Sequence, residues 1–268
     1  MKNWILSLAI AASVAACATT TSSTGRTQYV GAVSEQQLEQ LGAQAFAQAK
    51  AKGPVSTDSR QNAYVRCVAN ALVQQLPAGE RASAWESALF AIKEPNAFAL
   101  PGGKVGVNTG MLSVARNQDQ LAAVLAHEIG HVVENHHNER ITRQMGASAL
   151  LQGVGALAGS RYGQGAANTV GQLGSVGLQA GFLLPGTRAQ ETEADVVGQR
   201  LMAQAGFNPE QAVDLWQNMM SAGGARQPEW LSTHPDPQAR MQELRTRAAA
   251  LIPVYKQARA SGRNPSCT

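Results

Sequence analysis

The chain has 268 residues, a formal net charge of +4 and 44% hydrophobic residues, enough for one domain with a substantial core. Its basic residues are scattered and form no stripe with interleaved aromatic residues, so nucleic-acid binding is not expected. The sequence has no glycine-rich phosphate loop and no signature of a nucleophilic serine or cysteine. It also has no 34-residue repeat, which argues against a tetratricopeptide array.

The first predicted element is a secretory signal. Lys2 supplies an early positive charge, an apolar stretch covers residues 5–12, and small residues follow; the stretch is too short for a membrane span. Residues 14–17 (VAAC) resemble a bacterial lipobox, which predicts cleavage before Cys17 and its lipidation. The alternative is ordinary secretion with a nearby cleavage site. Ala18 follows the cysteine, and by this resemblance the destination is the outer membrane.

Alternating and helical patterns follow the polar segment 19–27. Residues 85–92 alternate enough for a strand, and Asn96 to Asn108 predict a short β-ribbon that turns at Gly102 and Gly103. Helices are predicted at 34–50, 58–76, 209–221 and 237–251. We therefore expect a mostly helical α+β fold.

A further helix carries His127-Glu128-x-x-His131. Asn117 and Gln120 predict its N-cap and a capping box. Residues four apart lie on one helix face, so both imidazoles can reach one tetrahedral zinc ion. The Glu128 carboxylate can then take a proton from water on that ion. The alternative, two ordinary surface histidines, is weakened because the apolar residues place them on or beside a buried face.

For two segments after this motif, at residues 136–137 and 147–185, the sequence favours a structural role over a functional one. His136 and His137 lie in a polar run, which predicts a solvated face rather than part of the metal site. Residues 147–185 are rich in glycine, alanine, serine and glutamine. We expect two small-faced helices packed as a hairpin there; the alternative is a mobile lid or membrane-contacting insert.

A third metal ligand is expected in the next helix, from about Arg188 to Ala205. Glu191 and Asp195 are four residues apart and share a face. Glu191 can bind zinc while Asp195 accepts an N–H from a ligand histidine. Glu193 is the rival ligand, and the alternative to both is an acidic first turn that suits the helix dipole.

Taken together, these stretches resemble the bacterial lipoprotein metallopeptidases of the BepA/LoiP type, which belong with HtpX, Oma and the CAAX prenyl endopeptidases among the gluzincins. The resemblance covers roughly residues 33–247, and also rests on Asn96–Gly103, residues 107–110 and 232–235. It implies a zincin-like fold with a small sheet or edge ribbon beside the active-site helix. It assigns one Zn²⁺ to His127, His131 and Glu191, and the general base to Glu128.

The resemblance adds two further roles. Asn96, Ala97, Phe98 and Ala99 would belong to an edge strand that pairs with extended substrate; the alternative is a plain hairpin. His234 would either stabilise the oxyanion or occupy the open zinc position and hold the enzyme inactive. Without the resemblance, the residues around His234 also allow an ordinary loop histidine.

Cys67 and Cys267 remain if Cys17 is acylated, and an oxidising compartment predicts a disulfide rather than two free thiols. The expected organisation is a signal at 1–16, a lipid-anchored tether at 17–32, a zinc metallopeptidase domain at 33–260 and a tail at 261–268. By resemblance, this periplasm-facing outer-membrane enzyme would cleave unfolded or misfolded envelope proteins. The alternative is a chaperone-like outer-membrane assembly factor with weak or gated proteolysis, acting with assembly machinery.

Overall fold

The computed structural model describes residues 18–81, 83–147, 186–222, 229–234 and 237–268. The expected signal peptide, Cys17 and residues 148–185 of the glycine-rich segment lie outside the described residues. Within the described ranges, every helix is too short or too polar to cross a membrane. The chain divides into two compact units, 1–38 with 137–184 and 39–136 with 185–268.

The described part of the first unit contains a β-hairpin and helical segments. Strands β1 (Ala18–Thr21) and β2 (Thr27–Val30) pair antiparallel, and helix α1 (Glu35–Lys52) begins here. Residues 137–147 are helical. The Arg26 guanidinium donates to both carboxylate oxygens of Glu139 at 2.8 Å, which joins the hairpin to that helical segment.

A three-stranded sheet lies in the second unit. Its strands are β3 (Glu86–Phe90), β4 (Ala97–Leu100) and β5 (Lys104–Asn108), in the spatial order β3-β5-β4. Strand β5 is parallel to β3 and antiparallel to β4. Gly102 and Gly103 make the turn with φ of 75° and 72°, a conformation that favours glycine. Backbone hydrogen bonds from residues 54–56 cover the outer side of β3. Among the described residues no strand pairs with the outer side of β4, where Ala97 and Ala99 are buried.

The other elements of the second unit are helices. They are α2 (Ser59–Val73), α3 (Ala78–Arg81), α4 (Thr109–Val114), α5 (Gln118–Val133), α6 (Arg188–Ala205), α7 (Gln211–Ala222), α8 (Glu229–Thr233) and α9 (Pro237–Ala260). Helix α5 is central because it packs against α2, α6, α7 and β4, and every residue from Gln120 to His131 is buried. The expected mostly helical α+β fold is confirmed.

Local sequence signals set the ends of α5 and α6. The Asn117 side chain accepts from the N–H of Gln120, but the Gln120 side chain accepts from the N–H of Arg116. The predicted N-cap is therefore present, while the predicted capping box is incomplete. Thr187 caps α6, and Gly206 ends it in the left-handed conformation that glycine adopts without steric cost.

Two glycines allow α5 and α6 to approach closely. A Cβ atom at Gly130 would lie 2.9 Å from the carbonyl oxygen of Ala194, and one at Gly198 would lie 2.8 Å from that of Ala126. Both distances are too short for a real Cβ contact, so a larger residue would force the helices apart. The close approach brings the His127–His131 face of α5 onto the Glu191 face of α6.

Candidate active site

Four buried side chains converge where α5, α6 and the end of α8 meet. They are His127 and His131 on α5, Glu191 on α6, and His234 directly after α8. One ligand atom from each lies within 4.8 Å of the others. The structure therefore brings together three residues expected as metal ligands and the histidine of uncertain role.

The expected ligand atoms have the spacing of a tetrahedral metal site. The Nε2 atoms of His127 and His131 are 3.1 Å apart. In the Glu191 carboxylate, Oε2 lies 3.3 Å from His127 Nε2 and Oε1 lies 3.5 Å from His131 Nε2. Ligands at about 2.0–2.2 Å from a tetrahedral zinc ion lie roughly 3.3–3.6 Å from one another. These side chains therefore fit a zinc ion with little movement.

An unsatisfied oxygen points to the same conclusion. The Oε1 atom of Glu191 is buried and has no hydrogen-bond partner among the residues that the structure describes. Burying a carboxylate oxygen without a partner is costly, and a bound cation would remove that cost. Burial raises the pKa of Glu191, but electrostatic interactions with the neighbouring imidazoles of His234 and His131 outweigh it and lower the pKa well below its ordinary value. The carboxylate is thus ionised and available to a metal.

The ring of His127 is oriented by Asp195. Its Nδ1 lies 3.0 Å from Asp195 Oδ1, and because an ionised carboxylate only accepts, Nδ1 donates. The other nitrogen, Nε2, therefore faces Glu191 and His131. Burial lowers the pKa of His127, but hydrogen bonds to Asp195 and Glu191 raise it to about 9. The two carboxylates thus stabilise positive charge beside this ring, which a bound cation would supply in place of the proton on Nε2.

Arg240 on α9 supports both carboxylates, and our sequence reasoning missed it. Its side chain is buried and donates to Asp195 through two nitrogens at 2.7 Å and to Glu191 at 2.9 Å. Burial raises the pKa of Asp195, but Arg240 outweighs it and lowers the pKa to about 2. A sequence signal existed: a cation in the first turn of a helix opposes the helix dipole, so Arg240 needed a specific partner.

The prediction that His136 and His137 lie on a solvated face is wrong, since both are buried. Nδ1 of His136 lies 2.8 Å from Nδ1 of His131, and its Nε2 lies 3.0 Å from Glu193. The five-residue spacing misled us because α5 ends at Val133 and the chain turns at Asn135, whose φ is 53°. Glu193, the rival ligand, thus contacts His136 and lies outside the four-residue cluster.

Glu128 lies beside the cluster and is held by a tryptophan. Its Oε1 accepts a hydrogen bond from Trp230 Nε1 at 2.8 Å and lies 3.4 Å from His234 Nε2. Trp230 is fully buried and stacks on His234, with ring centroids 4.7 Å apart. Trp230 was also missed in the sequence, although it precedes His234 by four residues, one helical turn.

The remaining expected site residues lie elsewhere in the second unit. Ala97, Phe98 and Ala99 form β4, with Asn96 just before it. Cys67 on α2 and Cys267 in the C-terminal tail are joined by a disulfide. Gln118, the first residue of α5, exchanges hydrogen bonds with the backbone of residues 265 and 267, so the tail is fixed at the start of the active-site helix.

A comparison with known families decides the broader assignment. Residues 59–248 match the model of peptidase family M48. The chain belongs to peptidase family M48. The resemblance expected from its motifs is therefore confirmed, and the matched region contains every side chain of the cluster.

Individual relatives agree with the family. The chain is 39% identical over 162 residues to the mitochondrial metalloendopeptidase OMA1 of Schizosaccharomyces pombe, which covers 60% of the chain and 45% of that protein. It is 30% identical over 223 residues to the beta-barrel assembly-enhancing protease of Escherichia coli, which covers 81% of the chain and 45% of the relative. The chain thus aligns with less than half the length of these family M48 relatives.

Proposed function

We propose that this family M48 chain is a zinc-dependent endopeptidase that cleaves unfolded or misfolded proteins of the bacterial envelope. One observation carries the proposal: the Nε2 atoms of His127 and His131 lie 3.1 Å apart, and each lies 3.3–3.5 Å from one oxygen of the Glu191 carboxylate. Glu128 follows the first of them directly and lies beside the cluster. Zinc is favoured over harder cations because two imidazoles and one carboxylate form a typical catalytic zinc set.

Zinc held by these three side chains would polarise the scissile carbonyl and acidify a water molecule at its open position. Glu128 is placed to take the proton of that water as it attacks. It would then deliver the proton to the leaving amine. Trp230 holds the carboxylate toward the cluster through its hydrogen bond to Oε1. Asp195 and Arg240 keep Nε2 of His127 directed at the same point.

The sheet edge supports a preference for extended chains. Asn108 donates its N–H to Asn96, and antiparallel pairing alternates, so Phe98 and Leu100 also face β5. The backbone groups of Ala97 and Ala99 therefore point away from the sheet. The Ala97 N–H donates to Asn96 Oδ1, and both alanines are buried. A substrate strand that displaced this cover could pair there without regard to most of its own side chains, which suits unfolded proteins.

The proposed envelope location rests on the N-terminal sequence pattern and on the name of one relative. Residues 1–16 would be removed as a lipoprotein signal and Cys17 lipidated, which anchors the chain through a tether at 17–32 to the outer membrane. The peptidase domain at 33–260 would then face the periplasm. The name of the Escherichia coli relative, a beta-barrel assembly-enhancing protease, supports a task near β-barrel assembly machinery. We propose quality control of envelope proteins as that task.

A gated enzyme, or a chaperone-like factor with weak proteolysis, is the second candidate, and His234 favours it. Nδ1 of His234 lies 2.9 Å from the Trp230 carbonyl oxygen, which can only accept. Burial lowers the pKa of His234, so the ring is neutral. Its single proton therefore lies on Nδ1, and the bare Nε2 faces the cluster. A bare nitrogen can bind the metal but cannot donate to an oxyanion. This conformation favours the inhibitory role of His234 over a role in the transition state.

The test is cleavage of unfolded casein by the full chain purified in detergent, with Glu128→Gln alongside. We expect cleavage that a zinc chelator abolishes, zinc restores, and the variant lacks. Undiminished cleavage by Glu128→Gln would overturn the proposed mechanism. If the wild-type chain binds zinc without cleaving, His234→Ala decides between the candidates. A gain of activity identifies a gated enzyme, whereas continued inactivity favours the chaperone-like factor.

A further inference from the structure

We propose that His136 and Glu193 are positioning residues for the metal ligand His131, so that the site is built from two hydrogen-bonded relays rather than one. This inference rests on the proposed zinc site. The first relay runs from Asp195 to His127. The second runs from Glu193 through His136 to His131, and it fixes which nitrogen of His131 is offered to the metal.

With His136 neutral, donor and acceptor rules give the second relay a single direction. The Glu193 carboxylate can only accept, so Nε2 of His136, at 3.0 Å, carries the proton. A neutral His136 then has a bare Nδ1, 2.8 Å from Nδ1 of His131. Nδ1 of His131 must therefore donate. The bare nitrogen of His131 is Nε2, the atom that lies 3.1 Å from His127 Nε2 and 3.5 Å from Glu191.

The relay is built into the interior. His136 has no exposed surface, and the exposed fraction of Glu193 is 3%. A buried histidine–carboxylate pair is expensive to desolvate, so a purely structural position would be better filled by apolar residues. The turn at Asn135 brings the His136 ring back onto α5 and the ring centroids of His131 and His136 to 4.9 Å.

Helix α6 would then support the metal in three ways within five residues. Glu191 binds it, Asp195 orients His127, and Glu193 orients His131 through His136. Because Glu193 lies on a different side of α6 from the Glu191–Asp195 face, it reaches His131 only with a bridging side chain. His136 provides that bridge beyond the end of α5.

The test is zinc affinity of the full chain by chelator competition, together with the cobalt(II) absorption spectrum. His136→Phe keeps a ring of similar shape but removes the acceptor. We expect about a 10–100-fold loss of zinc affinity, the range seen for outer-shell partners of metal ligands, and an altered cobalt spectrum. His136→Asn places an oxygen near the former Nδ1 and should restore most of the affinity.

Glu193→Leu tests the other end of the relay. It replaces His136→Phe as the test if that variant fails to fold. It should also weaken zinc binding, and combining it with His136→Phe should cause little further loss because both act on one chain of contacts. Gln199→Leu is the matched control. It removes buried hydrogen bonds from α6 to the carbonyls of Pro209 and Leu244, so it should lower stability without changing zinc affinity.

The outcomes separate the two proposals. A wild-type chain that binds no zinc overturns the proposed function and this inference together. A wild-type chain that binds zinc tightly, beside a folded His136→Phe variant within twofold of its affinity, overturns the inference alone. So does an Asn variant that binds no better than the Phe variant, because the acceptor at Nδ1 would then be irrelevant.

Discussion

Arg240 holds Asp195 through two parallel hydrogen bonds, from Nε to Oδ2 and from a terminal nitrogen to Oδ1, each 2.7 Å long. A third nitrogen donates to Glu191 at 2.9 Å. The guanidinium also lies 4.4 Å from the centre of the Trp216 ring. One buried cation thus connects an expected metal ligand with the carboxylate that orients another.

We expect Arg240→Met to destabilise the metal-free chain by about 3–5 kcal/mol, the usual cost of breaking a buried ion pair and leaving its partners uncompensated. Denaturant unfolding of the metal-free chain measures this. Arg247→Met on the same helix is the control, because its contacts with Gln199 and Glu243 are long, at 3.4 and 3.7 Å. A loss at Arg240 no larger than that of the control would contradict the account.

Trp230→Phe should lower kcat by about 10–100-fold without changing zinc content. The phenyl ring keeps the stacking on His234 but lacks the donor to Glu128, and one hydrogen bond to a charged group contributes about 1.5–3 kcal/mol. Steady-state cleavage of a peptide substrate measures it. Trp85→Phe is the matched control, since its Nε1 donates to the Glu80 carbonyl instead. Equal kcat in the two variants would remove Trp230 from the mechanism.

Glu191→Ala should lower zinc affinity more than any outer-contact variant, by about 100-fold or more, because it removes a direct ligand rather than a supporting contact. The metal content of the purified variant after dialysis against a weak chelator is the measurement. Zinc retained at wild-type level would show that the third ligand is a different residue.

Replacing Cys67 and Cys267 with serine should reduce stability by about 2–4 kcal/mol, as expected for a disulfide that closes a long loop. The two residues are 200 positions apart. Zinc affinity should stay unchanged, because the tail contacts the start of α5 rather than its ligands. Unfolding curves of the serine variant and the wild type give the first value. A clear loss of zinc affinity in the serine variant would instead show that the tail is coupled to the metal site.

Each helical half of the metal cluster could be predicted from the sequence because the spacing within that half is local. His127 and His131 lie one turn apart on α5, and Glu191 and Asp195 lie one turn apart on α6. Helical periodicity places each pair on one face without knowledge of the tertiary fold. The ends of α6 were also predictable, since the helix begins near Arg188 and ends before Gly206.

The supporting contacts could not be predicted in the same way. His136 reaches His131 only because Asn135 adopts a positive φ, and a polar run gives no sign of that turn. Arg240 meets Asp195 after the packing of α9 on α6, a long-range contact that periodicity does not encode. Trp230 and Glu128 are 102 residues apart. Each of these contacts depends on tertiary packing.

The most direct test of the central claim is the zinc K-edge X-ray absorption spectrum of the purified full chain. The account predicts one zinc ion per chain with nitrogen and oxygen ligands at about 2.0–2.1 Å and imidazole scattering, reduced by one imidazole in His131→Ala. A sulfur shell at about 2.3 Å, or a spectrum that His131→Ala leaves unchanged, would contradict it.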